Sequence, residues 1–543
     1  MPIHASKHTE ETLFEIRDFS GGMNVSYHPG TLAPNECVNI ENFFLDPVNG
    51  KLRGRYPFVL MYYDSDDIIL ADWATNGAPA PFKSIYYWNG YWLFEWKGSL
   101  YYLDVSGGLG LYGYTTASLG ALSGSGKPYF CPYNNRLIVA SGGNLQYTTF
   151  AAPPAALATV TNAPKGNYIF SKDGRLVVGG DPDNPDRIWQ CAVQNETSWA
   201  AGTDDYADVG WKDQLTVNGC CEFADGLFMV SKTGNQGRKA YFLTSLTEAA
   251  PKCSLVSDTH VPMSNGGLVE CGGKIYIMER KYVSKFIGTD AQGKIVVDLT
   301  PGAKICSVFT ATSTGTAAVF PDHQQVWFLP ANNGRAIWVC HYARNDAWTK
   351  FTVTESSAPY IHSISDIHYC NADGYMYIAA VVNWSNTGAP MIMRYDTLSG
   401  GCDDFAIDGS GTASPRRVWT GVIDPNITRE KIVKRPLFFY STLNGGSATM
   451  SLYDQTGTVQ SATQTVTLAS PGTKLSSLNA TYLYDTRLGG TAELFLGSQS
   501  GVDFSVMDVN AVVDNFQFRL DVNTGNIVLD AMAATVALGR NKV

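Results

Sequence analysis

The sequence predicts an all-β protein, and three observations lead to that class. Charged residues make up 16% of the 543 residues, while aromatic residues make up 12% and glycine occurs 53 times. Low charge with many aromatics and glycines is typical of strands joined by tight turns. A unit of apolar strand, tight turn and apolar strand recurs along the middle of the chain. After about residue 410 the apolar runs become shorter and more closely spaced.

The repeated unit predicts the architecture of the middle of the chain. Its turns are centred at Gly90, Asn135, Gly174, Gly226, Gly273, His323 and Gly374. Asn-Gly and Asp-Gly between apolar runs favour hairpins because both central turn residues adopt positive φ. A second hairpin half usually follows, so that each unit of about 40 to 50 residues holds about four strands, which is typical of β-propeller blades. We expect a β-propeller of about seven blades, with six to eight possible; a pair of large sandwiches is the alternative.

The chain divides into three predicted parts. An N-terminal arm with a short helix covers residues 1–55, the β-propeller covers 56–410, and a C-terminal antiparallel β-sandwich covers 411–543. Pro34 suits the first turn of a helix, which predicts that Glu36 and Glu41 lie on it. In the C-terminal part, alternating apolar residues predict a strand with one buried face. These residues are Phe516, Phe518, Leu520 and Val522.

Charge and hydropathy exclude several classes of partner. The formal net charge of −10 argues against sequence-independent binding of nucleic acid, which needs clustered Lys and Arg. No run of about 18 apolar residues occurs, so we expect no transmembrane segment, and the first residues lack the apolar core of a signal peptide. The eleven cysteines lie mostly in apolar contexts, which favours reduced thiols over disulfides. Adjacent Cys220 and Cys221 would bridge only with strain.

Two glycine-rich stretches match nucleotide-binding motifs only formally. Gly108, Gly110 and Gly113 spell G-x-G-x-x-G, but neither the following helix nor the acidic residue that binds the ribose is in place. In "GALSGSGKP" the spacing is one residue too long for a phosphate-binding loop, and Pro128 stands where Ser or Thr would hold magnesium. We expect both stretches to be loops, and no cofactor.

Two sets of three residues could in principle bind a metal. They are Asp181, Asp183 and Asp186, and Asp366, His368 and Cys370. The first set lacks the glycine and glutamate of a helix-loop-helix calcium site, which leaves a calcium loop at the propeller edge or a solvated acidic turn. The second set alternates on a strand without a fourth ligand, so a packed strand is favoured. We predict no metal.

Glycoside hydrolysis by a propeller enzyme would need two carboxylates that flank the sugar bond. The sequence offers many acidic candidates and singles out no pair. They include Asp66, Asp67, Asp204, Asp205, Asp403 and Asp404. No G-x-S-x-G motif occurs, and the eight histidines are scattered. The sequence therefore predicts no catalytic residue and a protein that is not an enzyme.

The arm carries the most specific pattern, "FSGGMN", "PGTLAPNE", "NIENF" and "NGKLRGR" in that order. This order resembles the N-terminus of the tail hub and tail nozzle proteins of short-tailed bacteriophages, which are similar to the packaged-DNA stabilisation proteins. The matching residues are Phe19, Gly21, Gly22, Asn24, Leu32, Pro34, Glu36, Asn42, Gly50, Leu52, Arg53 and Arg55. One position departs from the family, because Tyr56 stands where a glycine usually follows the last arginine.

The resemblance implies a structural protein of the virion tail, made in the cytoplasm of the bacterial host. It implies a homo-oligomeric ring, a hexamer in such proteins, that contacts the portal, the adaptor and other tail proteins. Such a ring retains the packaged genome and lets genomic DNA pass on ejection without specific binding. We expect the arm to be an assembly motif that packs on a propeller, its own or that of the next subunit. Six copies would carry a formal charge of 6 × −10 = −60, which would keep an acidic lumen from gripping DNA.

Two other functions remain open from the sequence. A propeller could degrade surface glycans with carboxylates that the sequence does not single out, or it could be a cellular interaction scaffold. Sugar release from bacterial polysaccharide separates the first alternative from a tail protein. Oligomeric state separates the second, because scaffold propellers are usually monomeric.

Overall fold

The computed structural model describes most of the chain. The described residues are 11–63, 82–104, 115–149, 151–199, 205–210, 213–224, 227–234, 237–244, 246, 253–262, 264–280, 283–289, 295–306, 308–309, 315–331, 335–353, 360–384, 387–398, 403–405, 411–423, 429–454, 460–468, 503–506, 510–513 and 515–541. These residues are almost entirely strands and turns. Their helical elements are one turn of α-helix, α1 (Thr300–Ala303), and three 3₁₀ turns at Pro29–Thr31, Asn265–Gly267 and Pro321–His323. None of them is a long apolar helix that could cross a membrane.

The arm is built of strands, and the helix predicted after Pro34 is wrong. Its strands are β1 (Glu11–Ile16), β2 (Gly22–Met23), β3 (Glu36–Glu41), β4 (Phe43–Leu45) and β5 (Leu52–Gly54). Both predicted helix residues, Glu36 and Glu41, lie on β3, which buries Cys37 and Ile40. β3 takes its hydrogen bonds from a neighbouring strand, and such tertiary pairing outweighs weak local helix propensity. The proline that opens a short helical turn is Pro29.

Six separate four-stranded sheets follow, together with a four-stranded part of the large sheet that also contains the arm, and we number these seven units as blades 1 to 7. Blade 1 contains β7 (Phe82–Trp88), β8 (Tyr91–Trp96), β9 (Ser99–Asp104) and β10 (Thr115–Ala121); blade 2 contains β11 (Tyr129–Tyr133), β12 (Arg136–Ala140), β13 (Gln146–Thr149) and β14 (Ala158–Thr159); blade 3 contains β15 (Tyr168–Lys172), β16 (Arg175–Gly179), β17 (Arg187–Gln190) and β18 (Tyr206–Asp208); blade 4 contains β19 (Thr216–Ala224), β20 (Leu227–Gly234), β21 (Gly237–Leu243) and β22 (Cys253–Ser257).

Blade 5 contains β23 (Leu268–Cys271), β24 (Lys274–Met278), β25 (Val283–Thr289) and β26 (Ile295–Asp298); blade 6 contains β27 (Gly315–Phe320), β28 (Gln325–Pro330), β29 (Ala336–His341) and β30 (Ala347–Thr352); blade 7 contains β31 (Tyr360–Cys370), β32 (Tyr375–Trp384), β33 (Thr387–Tyr395) and, from the N-terminal side of the propeller, β6 (Phe58–Tyr63).

The predicted turns are the hairpins between the first two strands of every blade. In blade 1, Asn89 and Gly90 have φ of 48° and 91°, and in blade 3 Asp173 and Gly174 have φ of 50° and 70°. Positive φ at both positions is what these residue pairs favour. Gly226 lies outside the described residues, but β19 and β20 on either side of it are paired. The prediction of a propeller with about seven blades is confirmed.

The ring closes through strands from the two ends of the propeller. The first strand of each blade lies against the next blade, and β31 of blade 7 contacts both β27 of blade 6 and β7 of blade 1. β6 pairs antiparallel with β33, so residues near 60 complete a sheet whose other strands lie near residues 360–395. This pairing removes two open sheet edges at the point of closure.

The C-terminal strands form one long sheet that folds over on itself. Its strands are β36 (Arg416–Thr420), β37 (Arg429–Asp454), β38 (Gln460–Leu468), β39 (Asp503–Val506), β40 (Asn510–Val513) and β41 (Phe516–Asn541); β34 (Asp403–Phe405) and β35 (Gly411–Ala413) form a separate hairpin before them. β37 and β41 pair along most of their length, with register shifts around Asn444. The rings of Phe438 and Phe518, from opposite halves of this pair, are 5.9 Å apart. The two halves therefore pack face to face, as expected for a sandwich.

The sandwich and the propeller share one sheet. β3 of the arm pairs with β36 and, at Glu41, with β30 of blade 6, so the sheet runs from blade 6 through the arm into β41 and β37. The predicted buried face is confirmed: Phe516, Phe518, Leu520 and Val522 are at most 3% exposed.

One buried and two half-buried histidines should make the fold sensitive to mild acid. Burial, the largest cause in each case, lowers the pKa of His323 and His368 to about 4 and that of His341 to about 3. An unfolded histidine has a pKa of about 6.5, so below that pH the unfolded state binds protons that the native state does not. Stability is therefore full above pH 6.5 and falls as the pH falls towards 4, by about 1.4 kcal/mol per pH unit for each histidine.

We expect a lower urea midpoint at pH 5 than at pH 7, and a smaller difference in His368→Phe. The ring of His368 lies between those of Tyr86 and Trp92, so phenylalanine can occupy the same space. His28→Gln is the control, because the His28 side chain is exposed. An unchanged difference in His368→Phe would contradict the assignment.

Candidate functional site: the N-terminal arm and its seat

Most residues of the arm motif pack into the chain's own core. Phe19, Gly21, Gly22, Asn24, Asn42, Leu52 and Arg55 are buried, and Glu36, Leu32, Gly50 and Arg53 are half-buried. Pro34 is exposed. The surfaces that receive the arm are blade 6, the segment around α1, the β34–β35 hairpin and the C-terminal sheet. The arm thus packs on the propeller of its own chain.

Two glycines at the start of the arm occupy positions without room for a side chain, Gly22 against blade 6 and Gly21 against the arm itself. Gly22 has φ of 68°, and a Cβ there would lie 2.5 Å from the backbone nitrogen of Trp348. A Cβ on Gly21 would lie 2.7 Å from the carbonyl oxygen of Asn35. No side chain fits at either position, which explains why the motif has glycine at both.

A charged group holds the arm to the segment that follows blade 5. Lys304 donates from Nζ to Glu36 Oε1 at 2.9 Å and to the carbonyl of Gly21 at 2.7 Å. Glu36 Oε2 accepts from Asn24 Nδ2 and from the backbone N–H of Ala33, both at 3.1 Å. Burial alone would raise the pKa of Glu36, but these hydrogen bonds and the charge of Lys304 outweigh it and lower that pKa.

Arg55 is the centre of the site. Its guanidinium is fully buried and makes a two-pronged ion pair with Asp404, at 2.8 Å from Nη1 to Oδ1 and 2.5 Å from Nη2 to Oδ2. It also donates to Ser414 Oγ at 2.6 Å and to the carbonyls of Tyr56 and Thr352 at 2.8 and 2.9 Å. The planar, five-donor guanidinium suits this role, and a lysine could not reproduce it.

Asp404 uses both oxygens to connect separate segments. Oδ1 also accepts the backbone N–H of Phe58, the first residue of the closing strand β6, at 2.9 Å. Oδ2 also accepts the hydroxyl of Ser414 at 2.6 Å. Arg55 and Asp404 therefore join the arm, the closing strand and the β34–β35 hairpin in one buried network.

Asn42 completes this network and ends β3. Its φ of 58° turns the chain from β3 into β4. Its Oδ1 accepts from Arg55 Nε and from the backbone N–H of Thr352, both at 2.8 Å, and its Nδ2 donates to Thr352 Oγ1 and to the carbonyl of Pro415. Asparagine tolerates left-handed φ, and here its side chain has every partner it needs.

The β4–β5 hairpin contains the remaining motif residues. Gly50 has φ of 73° in its turn, and Leu52 is fully buried in the main core. The guanidinium of Arg53 lies 5.0 Å from the centre of the Tyr56 ring. Tyr56, the residue that departs from the pattern of the proteins that the arm resembles, is 8% exposed and stacks on Phe44 with ring centres 5.6 Å apart. The departure therefore adds aromatic packing at the entry to β6.

Leu32 and Pro34 line a cavity of about 390 Å³ between the arm and the C-terminal sheet. Its other walls come from β1, including Phe14 and Ile16, and from the segment after β36. These are the two motif residues that the core does not account for.

The other predicted candidates do not converge on a site within the described residues. Asp181 accepts from Asn184 and Trp189, Asp183 pairs with Lys165, and Asp186 pairs with Lys232. Of the second set, Asp366 bonds Lys127, His368 packs among rings and Cys370 is buried in a core cluster. No group of three metal-binding side chains occurs in the described part of the chain.

The glycine-rich stretches and acidic pairs also have structural explanations where they are described. The stretch "GALSGSGKP" is a turn without a helix, in which a Cβ on Gly124 would lie 2.2 Å from the carbonyl of Ser141. Asp404 is committed to Arg55, and Asp205 lies 3.9 Å from Arg175. Other candidates lie outside the described residues or have undescribed side chains: Asp66, Asp67, Asp204, Gly108, Gly110, Gly113 and Asp403. The cysteines described, including Cys220 and Cys221, are free thiols.

Comparison with family models and with curated proteins gives no match. Solved structures match weakly. The extracellular domain of a one-component system from B. thetaiotaomicron is 11% identical with a TM-score of 0.40; the match covers 81% of this chain and 59% of that one. An exo-β-1,3-galactanase from Phanerochaete chrysosporium is 10% identical with a TM-score of 0.27, and the match covers 89% of this chain and 100% of that one. The Pan2 WD40 domain of Neurospora crassa is 7% identical with a TM-score of 0.26, and the match covers 59% of this chain and 76% of that one. The present chain thus spans 59% of the length of the first of these. At these scores the fold assignment rests on the seven blades themselves.

Breaking the Arg55–Asp404 pair from one side should destabilise the whole protein. Arg55→Met leaves a buried carboxylate without its partner, and we expect a loss of about 3 to 5 kcal/mol in the free energy of unfolding. The double variant Arg55→Met/Asp404→Leu removes both charges and should lose less than the sum of the two single variants. Urea unfolding measures all three.

The control for this cycle is Arg17→Ala. Arg17 pairs with Glu15 while its side chain is 75% exposed, so its loss should change stability by less than about 1 kcal/mol. Additive losses from Arg55→Met and Asp404→Leu would show that the pair does not act as one unit.

Proposed function

We propose that this chain is a ring-forming structural component of a bacteriophage tail, a hub or nozzle that lies below the portal and adaptor and passes genomic DNA on ejection. The observation that carries the proposal is the seat of the arm. The motif that resembles tail hub proteins is a joint, in which Arg55 and Asp404 connect the arm, the closing strand and the C-terminal hairpin.

A joint of this kind suits a structural subunit in the wall of a tail better than it suits an enzyme. Strand β3 of the arm also makes blade 6 and the folded C-terminal sheet parts of one continuous sheet, so that a load on one is passed directly to the other. Two of the carboxylates that are candidates for glycoside hydrolysis have described side chains. Asp404 is paired with Arg55 in this joint, and Asp205 lies 3.9 Å from the guanidinium of Arg175. We therefore favour a structural role over an enzymatic one.

The charge of the chain agrees with a conduit that does not bind DNA. Each copy has a formal charge of −10, and an acidic wall repels phosphate at long range. The proposal therefore requires a lumen without a dense cluster of Lys and Arg. A strongly basic lumen in an assembled ring would contradict it.

The decisive experiment is reconstitution with the portal and adaptor proteins encoded by the same genome. Mass photometry should show addition of about six copies of the 59.0 kDa chain to the complex, and electron microscopy should place the chain below the adaptor. A chain that stays monomeric in the presence of that complex would contradict a tail role. Release of sugars from host polysaccharide by the purified chain would instead favour the enzymatic alternative.

Deletion of the arm tests its place in the fold. Removal of residues 1–50 takes Phe19, Ile40 and Leu45 out of the main core, so we expect insoluble or unfolded protein rather than a soluble protein that fails to assemble. Arg17→Ala, at an exposed position of the arm, is the control and should leave circular dichroism unchanged and the thermal midpoint nearly so. A folded, soluble protein after the longer deletion would show that the arm is dispensable to its own chain.

A further inference from the structure

Side chains of blade 2 reach across the centre of the propeller. Lys127 lies two residues before β11, the first strand of blade 2. Its Nζ donates to Asp366 Oδ1 at 2.5 Å and to Thr316 Oγ1 at 2.7 Å. Asp366 is on β31 of blade 7, and Thr316 is on β27 of blade 6.

The order of the blades shows what this contact means. The first strand of each blade contacts the blade before it around the ring, and blade 7 is followed by blade 1. Blade 6 is then three blades from blade 2 in one direction and four in the other, the greatest separation that seven blades allow. A single lysine that touches both must cross the axis.

A second contact crosses the axis beside the first. The hydroxyl oxygen of Tyr129, on β11 of blade 2, lies against Asn265 and Gly266 and would be 3.4 Å from a Cβ on Gly266. These residues form the 3₁₀ turn that leads into blade 5, which is also three blades from blade 2. A Cβ on Gly266 would lie 2.8 Å from the carbonyl oxygen of Gly315, next to Thr316, so the turn also lies directly against blade 6.

The two contacts form one connected group. Asp366 is 3% exposed, and its Oδ2 accepts the backbone N–H of Ile85 in blade 1 at 3.0 Å. Ser264 donates to the carbonyl of Gly315 at 3.1 Å, which joins blade 5 to blade 6. Blades 1, 2, 5, 6 and 7 therefore share one hydrogen-bonded cluster at the axis, which we call the axial plug: Ile85, Lys127, Tyr129, Asn265, Gly266, Thr316 and Asp366.

We infer that the axial plug closes the central channel of the propeller, so that the propeller is a solid disc without a through-channel and its binding surfaces are its rim and faces. The plug also fixes blade 7, the blade completed by β6, to its neighbours from the inside. If the chain forms a tail ring as proposed above, a closed propeller means that DNA passes between copies of the chain and not through the centre of any one propeller. This statement about DNA rests on the proposed function.

The closure is tested on the isolated protein by a double-mutant cycle. Lys127→Met and Asp366→Asn should each lower the thermal midpoint by several degrees, since each removes an ion pair whose side chains are only 25% and 4% exposed, and the double variant should lose less than the sum. Lys165→Met is the matched control, because the Lys165–Asp183 pair has side chains that are 43% and 67% exposed; its midpoint should not change. Additive losses, or losses no larger than that of the control, would overturn the inference.

A second measurement reports closure directly. In the native protein, an amine-acetylating reagent followed by peptide mass spectrometry should modify Lys127 several-fold more slowly than Lys165. Asp366→Asn should remove that protection while the fold, checked by circular dichroism, is retained. Equal rates for the two lysines in the wild-type protein would show that the channel is open to small solutes.

The path of DNA is tested separately in assembled particles. Particles that carry Lys127→Met should release their genome as fast as the wild type, because the plug lies off the path; a changed rate would place the path through the propeller. If the chain is absent from particles, the proposed function fails, whereas the cycle and the labelling on the isolated protein still decide whether the channel is closed.

Discussion

The buried pair of Arg55 and Asp404 is the interaction on which the rest of the structure depends. Burying two charges is expensive unless geometry and hydrogen bonding are nearly complete. Here the carboxylate and guanidinium meet through two bonds, and Asn42, Ser414, Thr352 and the backbone N–H of Phe58 occupy the remaining positions. Because these partners come from segments up to 359 positions apart, the pair can form only when the ring is closed and the C-terminal hairpin is in place.

The same principle recurs between blades. The chain has few charges, and several of them are buried at blade boundaries rather than placed on the surface. Lys232 of blade 4 has a fully buried side chain that bonds Asp186 and Asp213, both in the connections around blade 3. Lys285 of blade 5 pairs with Asp346 of blade 6, which also accepts the hydroxyl of Tyr276. Apolar packing between blade faces is not directional. Buried hydrogen bonds and ion pairs of this kind are directional, and they fix the angle between neighbouring blades.

The sequence predicted the parts of the fold that local chemistry determines. Pairs such as Asn89–Gly90 and Asp173–Gly174 demand positive φ at neighbouring positions, so the hairpins and their spacing could be read directly, and the alternation from Phe516 to Val522 gave the buried face. The helix after Pro34 failed because β3 obtains its partners from β36, nearly 380 positions later. Arg55 was recognised as part of a motif, but no local signal links it to Asp404 or Lys127 to Asp366. Such contacts are set by the closed ring.

The closing strand has a consequence for biosynthesis. Because β6 pairs with β33, a chain emerging from the ribosome exposes the apolar strand Phe58–Tyr63 long before residues 387–395 have been translated. Nascent blades 1 to 6 can form in order, but the propeller ring stays open until late in synthesis. Until then the apolar strand β6 has no pairing partner. Truncated translation products would therefore tend to aggregate through β6. A chaperone that shields this strand would raise the yield of folded protein.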